Sequence, residues 1–88
     1  MRTYYLRGIS NLNIKKYKSA ISDFIKAIEL SPKSDIFDEL VIDDCHYNLG
    51  RAYFKLGEKQ QAIINFKIAS SSGHKEAQDA LLKMGEKW

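Results

Sequence analysis

The sequence predicts an all-α chain: an αα-hairpin superhelix of two helix-turn-helix repeats, closed by a C-terminal capping helix. Three observations lead there. A set of residues recurs at an offset of 42. In both copies those residues fall at helical spacing, on one stripe of a helix. A lone proline and five glycines leave few interruptions, which favours long helices over many short strands.

The repeat is read directly. Tyr4-Tyr5-Leu6-Arg7-Gly8 aligns with His46-Tyr47-Asn48-Leu49-Gly50, and the same offset carries Ala20 to Ala62, Ile21 to Ile63, Phe24 to Phe66 and Ala27 to Ala69. Ala20, Phe24 and Ala27 are i, i+4 and i+7, so they form one stripe on a helix over Tyr17–Leu30. Ala62, Phe66 and Ala69 do the same over Lys59–Ser70. An amphipathic helix precedes each, near Thr3–Asn13 and Asp43–Leu56. Gly8 and Gly50 are expected to let that first helix approach its partner near Ala20 and Ala62, with Phe24 and Phe66 filling the wedge. Each unit is then an αα-hairpin with a short turn. In Leu56-Gly57-Glu58 a glycine stands where a left-handed helix end is expected. The matching residue of the first unit is Lys15, so Asn13 is expected to supply that geometry there. Ser31-Pro32 ends the second helix, because proline disfavours helix in the residue before it. Ser70-Ser71-Ser72-Gly73 ends the fourth by another route.

Tyr4…Gly8…Ala20…Phe24…Ala27…Pro32 and His46…Leu49-Gly50…Tyr53…Ala62…Phe66…Ala69 each resemble a tetratricopeptide (TPR) unit. Arg7 departs from the usual Leu, Asn11 from the usual Tyr, and the second unit lacks the closing proline. The spacing Ala62-x3-Phe66-x2-Ala69-x3-Gly73-x3-Ala77-x3-Leu81 also resembles the Sel-like repeats, slightly longer cousins of TPR. The TPR period is ~34 residues, so the offset places extra chain between the units. It falls within Lys33–Asp43, where Ile36, Phe37, Leu40 and Val41 keep helical spacing and Asp35 is a candidate N-cap. The expectation is that the third helix starts early; a separate short helix followed by a kink is the alternative. From His74 to Met84, Ala77, Ala80, Leu81 and Met84 define a fifth helix that Gly85 stops, covering the open face of the second hairpin. The chain thus divides into repeat one (1–34), an inserted extension (35–42), repeat two (43–73) and a cap (74–86), all in one domain.

Composition bounds the function classes. Eighty-eight residues, 44% hydrophobic and 28% charged, fit one globular domain near the lower size limit for an unaided core. Cys45 is the only cysteine, so neither an internal disulfide nor a thiolate metal cluster is available. That suits a reducing, cytoplasmic setting. No apolar run approaches the ~18 residues of a membrane span, and Met1-Arg2-Thr3-Tyr4-Tyr5 is not a signal peptide. Tyr4 already belongs to the first helical pattern, as in an excerpt of a longer protein. Net charge is +3, yet all 14 basic residues lie outside the stretch from Ser34 to Gly50, which holds Asp35, Asp38, Glu39, Asp43 and Asp44. Such polarity suits head-to-tail contacts or a charged partner, or lysines spread over solvated faces.

The resemblance implies a groove lined by the first helices of successive hairpins, which receives a peptide or a partner's helix. On this chain it would take Arg2, Tyr5, Ile9, Leu12 and Asn13; then Asp44, Tyr47, Arg51, Phe54 and Lys55; then Asp79, Lys83 and Lys87. Aromatic anchors beside arginine are what binding hot spots favour. The expected ligand is a protein segment with a hydrophobic anchor and an acidic group or C-terminal carboxylate. The chaperone-tail clamp of some TPR proteins is rejected: only Asn48 matches it, and Tyr5, Ile9 and Asp44 stand where polar or basic residues are needed. The alternative for these residues is packing on neighbouring helices.

Other classes fare worse. Cys45 and His46 are adjacent on a helix and point ~100° apart, so they do not pair as nucleophile and base. Asp43, Asp44, His46 and His74 lack metal-ligand spacing, and no phosphate loop follows a strand. No catalytic group, metal or cofactor is expected. Nucleic-acid binding is permitted by the basic surplus but lacks an arginine-rich stripe. A homo-oligomer, built through exposed ends or the 36–41 extension, is the stronger alternative to partner binding.

Overall fold

A computed structural model describes residues 2–31 and 36–87, with side chains over 3–31 and 41–87. Five α-helices follow one another: α1 (Arg2–Asn13), α2 (Tyr17–Glu29), α3 (Ile36–Lys55), α4 (Lys59–Ser71) and α5 (Lys75–Lys83). Extensive packing joins α1 to α2, α2 to α3, α3 to α4 and α4 to α5, with a smaller contact of α1 on α3. Two hairpins and a terminal helix are therefore stacked in chain order.

The small-residue stripes form the interior. Ala20, Phe24 and Ala27 of α2 meet Leu12, Cys45, Leu49 and Ala52 in one cluster. Ala62, Ile63, Phe66 and Ala69 of α4 meet Ala77 and Leu81 of α5 in a second, and Tyr53 packs against both. What the hairpin glycines approach differs from expectation. A Cβ on Gly8 would stand 2.8 Å from Phe24 Cε1, and one on Gly50 would stand 2.6 Å from Phe66 Cδ1. The missing side chain makes room for an aromatic ring, rather than for the alanine stripe.

All four described turns close alike. Lys16 N–H donates to Asn11 O, Glu58 to Tyr53, His74 to Ala69 and Glu86 to Leu81, over 2.8–3.3 Å. These long bonds, with a left-handed residue just before the donor, are the Schellman arrangement. Gly57, Gly73 and Gly85 provide that residue in three turns; in the first it is Lys15, at φ 66°. Asn13 does not supply it: it is the last residue of α1. The turn's hydrogen bonds place the left-handed residue two positions later.

Other boundaries moved by one or two residues. α2 ends at Glu29, and α4 continues to Ser71. His74 is outside α5 and caps it, its Nδ1 accepting from the Ala77 N–H at 3.2 Å. α3 is a single helix of 20 residues, about 30 Å long at 1.5 Å per residue. Pro32, the Asp35 cap, and the side chains of Arg2, Ile36, Phe37 and Leu40 lie outside the described residues, as does Trp88. Val41 is half-buried against the first cluster.

Candidate functional site between α3 and α5

On the face formed by α1, α3 and α5, one carboxylate draws three helices together. Tyr5 Oη donates to Asp44 Oδ2 at 2.6 Å, and His74 Nε2 lies 2.8 Å from Asp44 Oδ1. The His74 ring stacks on Tyr47 with centroids 4.8 Å apart, and Tyr47 leans on Phe66 at 5.8 Å. Burial, then the bond to Asp44, push the Tyr5 phenol well above its ordinary pKa, so it remains a donor. Burial, seconded by the Asp44 charge, raises the neighbouring Cys45 thiol to about 12, and its side chain is enclosed. This thiol is unreactive at neutral pH.

Further along the same two helices a cavity of about 350 Å³ opens. α3 contributes Arg51, Phe54 and Lys55; α5 contributes Ala80, Lys83 and Met84; Phe66 of α4 lines it as well. Three cations stand around an apolar lining, and no acidic side chain takes part in it. Phe54 is 49% exposed although it is a large apolar residue, so its ring is available to a ligand. Arg51 is held in place: its Nη1 donates to Asn48 Oδ1 at 3.1 Å, and its guanidinium stands 5.8 Å from the Tyr47 ring centre. Asn48 in turn donates to the Asp44 carbonyl at 3.0 Å.

Of the residues expected in the groove, Arg51, Phe54, Lys55 and Lys83 come together at this cavity. Tyr5 and Tyr47 do not line it; both are half-buried and committed to the Asp44–His74 cluster. Ile9 packs against the first core cluster. Leu12 is corrected outright, being 6% exposed and part of that core. Ile9 and Leu12, three residues apart, share one face of α1, and both pack into the first core cluster. Asn13, Asp79 and Lys87 are exposed away from the cavity lining. Sequence reasoning missed Phe66, Ala80, Met84 and His74. The first three read as core stripe, which they also are. His74 could have been found as a cap, three residues before the Ala77 amide that it accepts.

A second polar cluster occupies the outer side of α1 and α2. Arg7 Nη2 and Nε donate to Asp23 Oδ1 at 2.7 and 3.0 Å, and Asn11 Nδ2 donates to Oδ2 at 2.7 Å. Asp23 is 5% exposed. The bond to Arg7 holds its carboxyl below the usual range against the cost of burial, with help from Asn11. Both departures from the repeat pattern in the first unit are thus partners of one buried acid.

Among the described residues, no three His, Cys, Asp or Glu side chains are placed to hold a metal ion. No helix there is long and apolar enough to cross a membrane. A family model for the tetratricopeptide repeat matches residues 2–34 and 43–72. The chain belongs to the tetratricopeptide repeat family. Comparison with curated proteins and with solved structures found no match. Tetratricopeptide repeats typically serve as non-catalytic scaffolds, and the fold generally mediates protein–protein interaction. In this TPR chain the matched segments take in α1 and α2, then α3 from Asp43 onward and α4; the start of α3 lies between the matches and α5 beyond the second.

Proposed function

We propose that this TPR module holds a partner's peptide at the cavity between α3 and α5, through a hydrophobic anchor side chain and an adjacent acidic group or C-terminal carboxylate. One observation supports this most: Arg51, Lys55 and Lys83 surround an apolar lining without any acidic neighbour in it. A side chain entering the cavity would lose water against Phe54, Phe66 and Met84, while a carboxylate at the rim would meet up to three cations. On this reading 1–34 and 43–73 are the repeats, 35–42 lengthens the first helix of the second, and 74–86 is a cap that also forms one wall of the site. The Sel-like spacing through Ala77 and Leu81 supports treating α4 and α5 as a joined pair. A single cysteine, Cys45, enclosed in the core, suits a cytoplasmic setting.

The test is fluorescence anisotropy with a labelled octapeptide ending aspartate-leucine-phenylalanine, with a free or an amidated terminus. Binding of the free form is expected to weaken about tenfold on amidation and to vanish in Arg51→Glu/Lys55→Glu. Equal binding in all three cases would overturn the assignment.

Self-association is the second reading, favoured by a different observation. Ile25, Ile64 and Ile68 are exposed on α2 and α4, where a cleft of about 330 Å³ separates the two helices over Leu49 and Tyr53. Light scattering decides it: a strict monomer at high concentration removes this option.

A further inference from the structure

We propose that Asp44 and His74 are positioning residues for the α3–α5 cavity: their hydrogen bond sets the angle at which α5 stands from α3, and with it the spacing of the cationic rim. This rests on reading the cavity as the binding site. One wall belongs to α3 and the other to α5, yet the extensive helix pairings run from α3 to α4 and from α4 to α5. α5 is carried by α4 and held there by Ala77, Leu81 and a bond from Gln78 Nε2 to the Ser70 carbonyl. Among the described residues, its direct polar tie to α3 is His74 to Asp44, at 2.8 Å.

That tie is fixed at both ends. The second oxygen of Asp44 is taken by Tyr5 Oη of α1, so the carboxylate does not follow a moving histidine. The other nitrogen of His74 accepts the Ala77 N–H, so the ring is locked to the first turn of α5. These two bonds require one tautomer, with the proton on Nε2 and Nδ1 free to accept. Glu76 Oε2, 3.4 Å from Nδ1, would receive that nitrogen only if the ring were protonated and the cap broken. The tie lies directly after Gly73, the left-handed residue of the α4–α5 turn and the point about which a tilt of α5 would turn. From His74 to Lys83 the helix extends about 14 Å at 1.5 Å per residue, so a tilt of ~10° at the pivot displaces the far rim by roughly 2 Å. Such a displacement is enough to spoil a bidentate or anchored contact.

His74→Asn keeps the cap, since asparagine caps a helix well, but it is too short to reach Asp44 and also gives up the stack on Tyr47. Helix content is expected to stay near that of the unmodified protein, with the thermal midpoint lowered by the lost bond and stack. Affinity for the free-carboxylate octapeptide should fall roughly three- to tenfold. Residual dipolar couplings should show α5 turned relative to α3. In the unmodified protein, nitrogen-15 spectra of His74 at pH 7.5 should show the Nε2-protonated tautomer. An Nδ1-protonated ring, or a His74→Asn variant with unchanged couplings and unchanged affinity, would overturn the proposal. If the unmodified protein ignores the octapeptide, the cavity reading fails by itself, and the tautomer and couplings still decide the tie.

Discussion

In the α3–α4 hairpin, Leu49 and Tyr53 turn toward α2, and Asn65, buried beside them along the same cleft, lies 3.2 Å by its Oδ1 from His46 Nδ1. In the α1–α2 hairpin the positions 42 residues earlier hold Arg7, Asn11 and Asp23, which satisfy one another. The two hairpins share the Gly–Phe approach, the alanine stripe and the turn, and they part company on the face directed toward the start of the chain. A leucine and a tyrosine are favourable there when another helix covers them; α2 covers the second hairpin in this way. Among the described residues no helix lies in front of the first. A buried acid with two donors gives that face polar chemistry that water tolerates. The repeat pattern is thus two patterns superposed, one for closing a hairpin and one for receiving a neighbour.

The largest effect separates the two aromatic wedges. Phe24→Ala should cost about 3–5 kcal/mol in urea unfolding, because its ring is fully enclosed. Phe66→Ala should cost less, since its ring borders the open α3–α5 cavity and water can enter the space left behind. Equal losses would break the distinction.

An intermediate effect concerns the polar face. Asp23→Asn makes the first hairpin match the second at that position. It should destabilise by about 1–3 kcal/mol at pH 7, since a charge-assisted acceptor is lost from a buried site. The pH dependence has a definite sign. Because the folded carboxyl is held below its ordinary value, its contribution is complete above the unfolded pKa of about 3.9, and disappears as pH falls through the lower folded value. Thermal midpoints between pH 5 and pH 2 should therefore converge for the two proteins; a constant gap would exclude this role for Asp23.

The smallest effect is in the turns. Lys15→Gly gives the first turn the residue that Gly57 provides in the second, and should stabilise by about 0.5–1 kcal/mol, as the left-handed strain of lysine exceeds the entropic cost of glycine. A lower thermal midpoint would mean that the Lys15 side chain contributes something that its exposure conceals.

Helix number, pairing and stacking were legible in the residues because they depend on spacing within a helix, where i, i+4 and i+7 share a face wherever the chain goes. Ala20, Phe24 and Ala27 announce their stripe without reference to anything distant. Half of the candidate site was legible for the same reason: Arg51, Phe54 and Lys55 lie close together on one helix. Leu12 was misplaced because a stripe's edge is decided by the neighbour that covers it. The turn at Lys15 was misread because lysine does not advertise a left-handed backbone. Sequence alone determined that alanine and glycine would bring helices into register around phenylalanine, since those are local facts of size and period. Only the tertiary structure decided that Asp44 would join Tyr5 and His74, 39 and 30 residues away, and that Phe66, Ala80 and Met84 would line an apolar cavity beside Arg51 and Lys83. Distances between helices depend on every intervening turn, and no residue carries that sum in its own side chain.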